Sequence, residues 1–317
     1  MTAISNNQRN LVRIVYDIAN DHEIDIESFS YDWILKLSKN GRNSHIFGYN
    51  FELNSSTSKM IAGDKSAASD LLHAAGVSTV MHQLFLNPNM EKYVSSNGNW
   101  QNILKFFHDN DQHIVCKPVD GTGGNGVFMA NSIIKLEQAI HSLFSKHRSI
   151  CLSPFYDIKK EYRAVILDGE VQLMYQKDIP FVEANGSKNI LELLQSKFSG
   201  ETLDSVIATF STKKDRNFSD IPPKGEIIEV NWKSNLAEGA EAALTENETV
   251  KILAVKAANA INIRFCSVDI TETTTGDFYV MEINSGVMIE HFLNSNQDKY
   301  QMVKSIYEKA VLKMLEM

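Results

Sequence analysis

The tightest constraint on this chain is the run His113-Ile-Val-Cys-Lys-Pro-Val-Asp-Gly-Thr-Gly-Gly-Asn-Gly-Val-Phe-Met129, with four glycines in six positions between two short apolar segments. Gly121, Gly123, Gly124 and Gly126 can take positive φ and bring bare backbone N–H groups close to an anion. Lys117, on the incoming segment, adds a fixed positive charge beside them. Phosphate binding is the chemistry this suggests. A plain hairpin turn is the bland alternative, but it needs only one or two of the four glycines.

Context separates the known phosphate loops. Gly121-Thr-Gly-Gly-Asn-Gly126 matches GxGxxG, yet the dinucleotide fingerprint requires a helix that starts inside it. Here the glycines run into the strand-like Val127-Phe-Met129, and a helix signal comes only at Ser132. A Walker loop ends in Gly-Lys-Ser/Thr, whereas Asn125-Gly126-Val127 does not. A kinase glycine loop does sit in a hairpin, but no HRD or DFG motif follows.

A length of 317 residues allows a sizeable core and two or three domains. The net charge of −8 argues against a general nucleic-acid or membrane-surface binder. No apolar run approaches the ~18 residues of a membrane span, and the first ten residues hold no signal-peptide apolar core. Cys116, Cys151 and Cys266 lie singly in strand-like runs without CxxC spacing. They read as buried, reduced thiols, and a cytoplasmic location is the expectation.

Along the chain, Leu11, Ile14, Val15 and Ile18 fall at helical spacing. Asn40-Gly41 marks a hairpin between residues 33–38 and 44–49. Asp64 is an N-cap for a helix closed by Gly76. Residues 87–100 read as loop, residues 100–108 as helix, and Ser132 as the cap of another. Asp168-Gly169 joins strands over 163–167 and 170–175. A helix over 190–197 precedes a polar stretch, 199–225, expected to be the most mobile part of the chain. A strand (226–230), a helix (249–261), a hairpin (266–283) and a terminal helix complete the chain. Hairpins mixed with helices indicate an α+β architecture more than an all-parallel sheet.

The second informative region is Ser267-Val-Asp-Ile-Thr271 with Phe278-Tyr-Val-Met-Glu-Ile-Asn284. A turn centred on Thr275-Gly276 sets Asp269 opposite Glu282, and simple alternation puts Glu282 and Asn284 on the face of Val280. Two facing carboxylates repel. A divalent cation removes that penalty, and the oxygen-only set Asp269, Glu282 and Asn284 suits Mg²⁺ or Mn²⁺ better than zinc.

Together these residues resemble the ATP-grasp superfamily of carboxylate–amine ligases, over roughly residues 55–290. Ile61-Ala-Gly-Asp-Lys65 with Leu71-Leu-His-Ala-Ala-Gly-Val77 resembles the family's Asp-Lys helix, whose lysine reaches the nucleotide phosphates. Cys116-Lys-Pro118 and the glycines resemble its second lysine and the loop over the β- and γ-phosphates. Leu152-Ser-Pro-Phe155 resembles the hinge that pairs with adenine through its backbone, and Glu161 the residue that holds the ribose hydroxyls. Arg163 matches the arginine that follows. Within the superfamily the likeness is greatest to the ligase domain of cyanophycin synthetase and bifunctional glutathione synthetase. There, Lys177-Asp-Ile-Pro-Phe-Val-Glu-Ala-Asn-Gly186 and Ser234-Asn-Leu-Ala-Glu-Gly239 have counterparts.

The resemblance implies two α/β subdomains that clasp ATP: residues 61–156 with the loop and 157–317 with the metal site, after a short N-terminal region, 1–60. It implies ATP and Mg²⁺ (or Mn²⁺) as cofactors. Lys65, Lys117, Gly121, Gly123, Gly124, Gly126, Ser153, Phe155, Glu161, Lys233 and Asn235 become the expected ATP contacts. Asp269, Glu282 and Asn284 become the metal ligands, and Arg163, Lys177 and Arg264 the catalytic or substrate-facing cations. The implied reaction is ATP-dependent amide-bond formation through an acyl phosphate, on small-molecule or peptide substrates. A silent ATP-binding regulator and a kinase releasing its phosphorylated product are the alternatives. His73, His82 and His291 read as ordinary surface or core histidines. The chain departs from the pattern at Lys177, Ser153, Asn185 and Lys233, and Asn284-Ser-Gly-Val-Met288 lacks the usual proline. The substrates therefore stay open. A second subunit completing the substrate pocket, in a homo-oligomer, would account for the short N-terminal region.

Overall fold

The computed structural model describes residues 8–90, 99–121, 126–177, 180–210, 216–229 and 242–316. Helix α1 (Asn10–Asp21) buries Leu11, Ile14, Val15 and Ile18, the positions its spacing predicts. It precedes an antiparallel sheet of β1 (Asp25–Phe29), β2 (Ile34–Lys39), β3 (Arg42–Phe47) and β4 (Asn50–Phe51), in that spatial order. Asn40 and Gly41 both have positive φ (52° and 78°) in the β2–β3 turn, as an Asn-Gly hairpin requires.

Helices α2 (Ser56–Gly63) and α3 (Lys65–Ala74) follow. Asp64 caps α3 by accepting from the N–H groups of Ser66 and Ala67. A second antiparallel sheet is built from β5 (Gln83–Leu86), β6 (Ile114–Pro118), β7 (Phe128–Ala130) and β8 (Ser149–Pro154), ordered β5-β8-β6-β7. Helices α4 (Trp100–Asp109) and α5 (Ile133–Phe144) cover one face, burying Ile103, Phe107, Leu136 and Leu143 against Phe85, Cys116 and Leu152.

Strands β9 (Ile158–Leu167) and β10 (Glu170–Lys177) form the predicted hairpin, with positive φ at both Asp168 and Gly169. After them come β11 (Phe181–Glu183), α6 (Ile190–Lys197), α7 (Gly200–Phe210) and β12 (Ile227–Glu229), where β11 pairs with β12. The polar stretch 199–225, expected to be the most mobile part of the chain, contains helix α7. Its Leu203, Val206, Ile207 and Phe210 keep helical spacing, and Val206 and Phe210 are buried against α6 and β11.

Strand β13 (Ala242–Leu244), α8 (Glu248–Ala260), β14 (Phe265–Thr273), β15 (Phe278–Asn284), α9 (Glu290–Ser295) and α10 (Tyr300–Glu316) complete the described chain. The central sheet runs β13-β10-β9-β14-β15. Alternation gives it two distinct faces. Tyr162, Ala164, Ile166, Val268 and Ile270 pack on α8. On the other face Val165, Leu167, Leu173 and Phe265 join α1, α10 and the N-terminal sheet in one core. The result is α+β, as expected. All three cysteines are buried free thiols, and burial pushes Cys116, Cys151 and Cys266 up to about 12, 11 and 12. Among the described residues, no helix is long and apolar enough to cross a membrane.

Candidate active site

The face of the central sheet that carries Leu167 and Val165 changes character along β9. Two residues further is Arg163, and two beyond that is Glu161. Across the strands Tyr175, Arg163, Asp269 and Glu282 lie in one row, and Lys177, Glu161 and Thr271 in the next. The apolar half of this face belongs to the core, and the charged half forms the site.

Two β-bulges aim the row. The β9–β10 turn pairs Glu170 with Leu167; continued unbroken, that register would set Lys177 opposite Lys160, on the apolar α8 side. An extra residue at Gln172 shifts the pairing so that Lys177 faces Glu161. In the same way Ile270 pairs with Val280, and the extra residue at Met281 brings Glu282 opposite Asp269. The expected Asp269–Glu282 pairing holds. The expectation that Glu282 and Asn284 share the face of Val280 does not, because the bulge inverts alternation and Val280 packs with the α8 core.

The charges are tightly coupled. Arg163 grips Asp269 with two bonds, Nε to Oδ1 at 2.7 Å and Nη2 to Oδ2 at 2.6 Å. Lys177 Nζ lies 3.1 Å from Glu161 Oε2 and 3.4 Å from Asp269 Oδ1. Burial favours the neutral form of Asp269, but Arg163 and Lys177 outweigh it and hold this carboxyl well below the usual range. Burial opposes the charge on Lys177 too, and Asp269 and Glu161 more than compensate, raising its pKa.

The four-stranded sheet borders this cluster and adds Lys117. Its side chain is only 8% exposed and has no ion pair or hydrogen bond among the described residues. Burial depresses its pKa, with nearby Lys65 adding to the effect, while Cys151, Glu282 and Glu161 oppose it. Lys65, the first residue of α3, reaches into the same space. Its Nζ lies 3.7 Å from Glu282 Oε2 and donates to the carbonyl of Gly121, and its backbone N–H donates to Val119 O at 3.2 Å. The Asp-Lys helix is thereby tied to the start of the glycine segment.

Ser153 is buried on β8, in register with Val115 on the face that carries Lys117. Gly126 has φ of +70°, and an added Cβ would come within 3.3 Å of Pro118. Gly123, Gly124, Lys233 and Asn235, and the run 234–239, lie outside the described residues. Phe155 has one backbone group already committed. Its N–H already donates to His113 O at 3.1 Å, and its ring stacks on His113 at 3.9 Å, so that backbone group is not free to pair with a base. Arg264 is not brought to the cluster. It precedes β14, five residues and roughly 17 Å of strand from Asp269. Its guanidinium holds Asp168 at 2.7 Å, beside Lys313. Glu290, also near the site in sequence, accepts from the N–H groups of Asn10 and Leu11 and so caps α1.

Two polar atoms went unmarked by the sequence. Thr271 Oγ1 is buried in the row of Glu161 without a hydrogen-bond partner among the described residues, and so is His82 Nε2. Only Thr271's position two residues after Asp269 could have flagged it. The N-terminal sheet also borders the site. Val287 N–H donates to Tyr49 O, and Ser285 Oγ donates to Asn50 Oδ1 at 3.2 Å, just beyond Asn284.

The residues fit a hard divalent cation. Glu282 and Asp269 are direct cross-strand partners, and two carboxylates set side by side repel unless a cation stands between them. Asn284 Nδ2 donates to Glu282 Oε1 at 3.3 Å, completing an oxygen-rich group. Arg163 uses about one lone pair on each Asp269 oxygen, and a carboxylate offers roughly four. Acceptor capacity therefore remains. Among the described residues no group of three or more His, Cys, Asp or Glu side chains is placed to hold a metal ion, so a cation here would rest on Asp269, Glu282 and the Asn284 amide.

Comparison with known proteins bears on the fold. Residues 226–306 match the RimK-like ATP-grasp domain. Cyanophycin synthetase of Trichormus variabilis is 25% identical over 71% of this chain and 26% of its own length. The bifunctional glutathione biosynthesis protein of Clostridium perfringens is 26% identical over 50% of this chain and 23% of its own. The chain thus spans about a quarter of the curated relatives it matches. The crystal structure of a bifunctional glutathione synthetase from Pasteurella multocida superposes with a TM-score of 0.59 at 17% identity, over 96% of this chain and 44% of that one. D-alanine–D-alanine ligase from Bacillus anthracis gives 0.51 at 15% identity, over 83% and 68%. The chain has the ATP-grasp fold. Its sequence similarity runs to cyanophycin synthetase and to the bifunctional glutathione enzymes.

Proposed function

We propose that this protein is an ATP- and Mg²⁺-dependent ligase that joins a carboxylate, of an amino acid or peptide, to an amine through an acyl phosphate. The row Arg163–Asp269–Glu282, flanked by Lys65, Lys117 and Lys177, is the observation that carries this reading. Attack of a carboxylate on the γ-phosphate concentrates negative charge, and fixed cations aimed at that point lower its cost. Lys117 and Lys65 would bind the phosphates. Arg163 commits Nε and Nη2 to Asp269 and keeps further N–H donors for the transferring group. Lys177, braced between Glu161 and Asp269, holds its ammonium in place without losing its charge. Asp269, Glu282 and Asn284 would hold Mg²⁺, which when bound supplies Lewis-acid neutralisation of the phosphate oxygens. Glu161 would take the ribose hydroxyls.

ADP release from ATP, measured with pooled amino acids and short peptides, tests the reading. A pool should raise wild-type turnover, and Glu282→Ala should reduce it about 10²–10³-fold. Hydroxylamine should trap the intermediate as a hydroxamate. A stable phosphorylated product points instead to a kinase, and tight ATP binding without stimulated turnover to a silent nucleotide-binding protein; either defeats the ligase reading.

A further inference from the structure

His82 stands just ahead of β5, where Gln83 pairs with Leu152, so it falls in the register of Ser153. Alternation places it on the face of Leu84, Cys151 and Lys117, opposite the face that packs on α4 and α5. Its backbone N–H donates to Ser69 Oγ of α3. One ring nitrogen bonds to the carbonyl of Val80, while Nε2 is buried and unpartnered in a side chain only 1% exposed. Lys117 on β6 and Lys65 on α3 are the charged groups acting on it, and the thiol of Cys151 stays protonated beside Lys117. A polar atom this buried is costly unless something fills its partner position.

Two ammonium groups and an unpartnered imidazole nitrogen on one wall suit a polyanion. Burial and the two lysines keep His82 neutral in the ligand-free protein. A phosphate chain on those lysines reverses the local field. We propose that His82 is a direct contact for the nucleotide, its Nε2 taking a proton from solvent as ATP enters and donating it in a hydrogen bond to a phosphate oxygen. This rests on the ATP-site reading above.

Titration calorimetry with a non-hydrolysable ATP analogue and Mg²⁺ tests it, in buffers of different ionisation enthalpy. His82→Gln offers a neutral donor, and His82→Phe offers none. At pH 6.5, wild type should take up roughly half to one proton more per nucleotide than His82→Gln. His82→Gln should bind within about threefold of wild type and His82→Phe about tenfold more weakly. Wild-type affinity should also fall from pH 6 to 8.5 more steeply than that of His82→Gln. If the Phe variant does not fold, the proton count of the Gln variant still decides. Should all three proteins bind alike with equal proton uptake, the role of His82 is refuted while the nucleotide site stands. Should wild type not bind the analogue, the nucleotide site itself is refuted, and this role with it.

Discussion

On the central sheet, Arg163, Asp269, Lys177, Glu161 and Glu282 all have partners, whereas on the four-stranded sheet beside it neither Lys117 nor His82 Nε2 has one among the described residues. Both walls serve one site, yet they handle burial in opposite ways. The charged groups of the paired wall find partners as it folds, although Thr271 Oγ1 stays unmatched among the described residues, so most of its geometry is set before any ligand arrives. The unpaired wall keeps a largely buried lysine without an ion pair and a buried nitrogen without a hydrogen bond, at a cost to the fold that an anion bound there would relieve.

Stability of matched variants would break this contrast most sharply. Asp269→Ala strands Arg163 and Lys177 as buried charges, and unfolding in denaturant should show a loss of about 3–5 kcal/mol. Lys117→Met removes a buried charge that has no partner and should leave stability unchanged or raise it by about 1 kcal/mol, a Tm gain of roughly 2 °C. The same Met variant should bind the ATP analogue at least about tenfold more weakly. If it is strongly destabilised, Lys117 has a structural partner and the two walls are not different in kind.

The pH dependence of stability sharpens the same point. Burial holds His82 uncharged in the fold, while the unfolded chain protonates near the ordinary value of 6.5. As pH falls through that value the unfolded state binds the extra proton, so stability is lost on the acid side. Between pH 7.5 and 5.5 wild type should lose about 1 kcal/mol more than His82→Phe in thermal or denaturant unfolding. Saturating ATP analogue should erase or invert that difference, because the bound form carries the proton. Asp269 has the same sign in a lower range. Its carboxyl is held well below the usual range, so its contribution persists until strong acid and lies outside this window.

What could be read in the sequence was local or set by short-range pairing. Asn40-Gly41 and Asp168-Gly169 specify their turns, and Asp64 and Ser132 specify their caps, because the deciding interactions span three residues. The Asp269–Glu282 pair was also legible, though partly by compensation. The turn closes with Thr273 bonded to Asp277, one position short of the register that pairs the two carboxylates, and the Met281 bulge restores it. Bulges at Gln172 and Met281 carry no plain signal, yet both determine which face Lys177 and Glu282 occupy. His82 was hidden for a different reason. Its burial depends on the register of β5 against β8 and on Ser69, thirteen residues away. Helix α7 was obscured by its polar flanks rather than by its own spacing.

Arg264 supplies the smallest effect and the cleanest boundary to the site. In sequence it lies five residues before Asp269, and both it and Arg163 read as candidate cations. Strand direction separates them. Arg163 stands in mid-strand on the charged face, but Arg264 comes before β14 begins, at the β9–β10 turn. There it shares partly exposed Asp168 with Lys313, which stays 2.6 Å away if the arginine is removed. Its backbone N–H, bonded to Asn54 Oδ1, is untouched by a side-chain change. Arg264→Ala should therefore shift stability by no more than about 1 kcal/mol and leave affinity for the ATP analogue within about twofold. A tenfold loss of affinity would mean that the charged half of the face extends to the turn, and that the apolar core between them does not insulate the site.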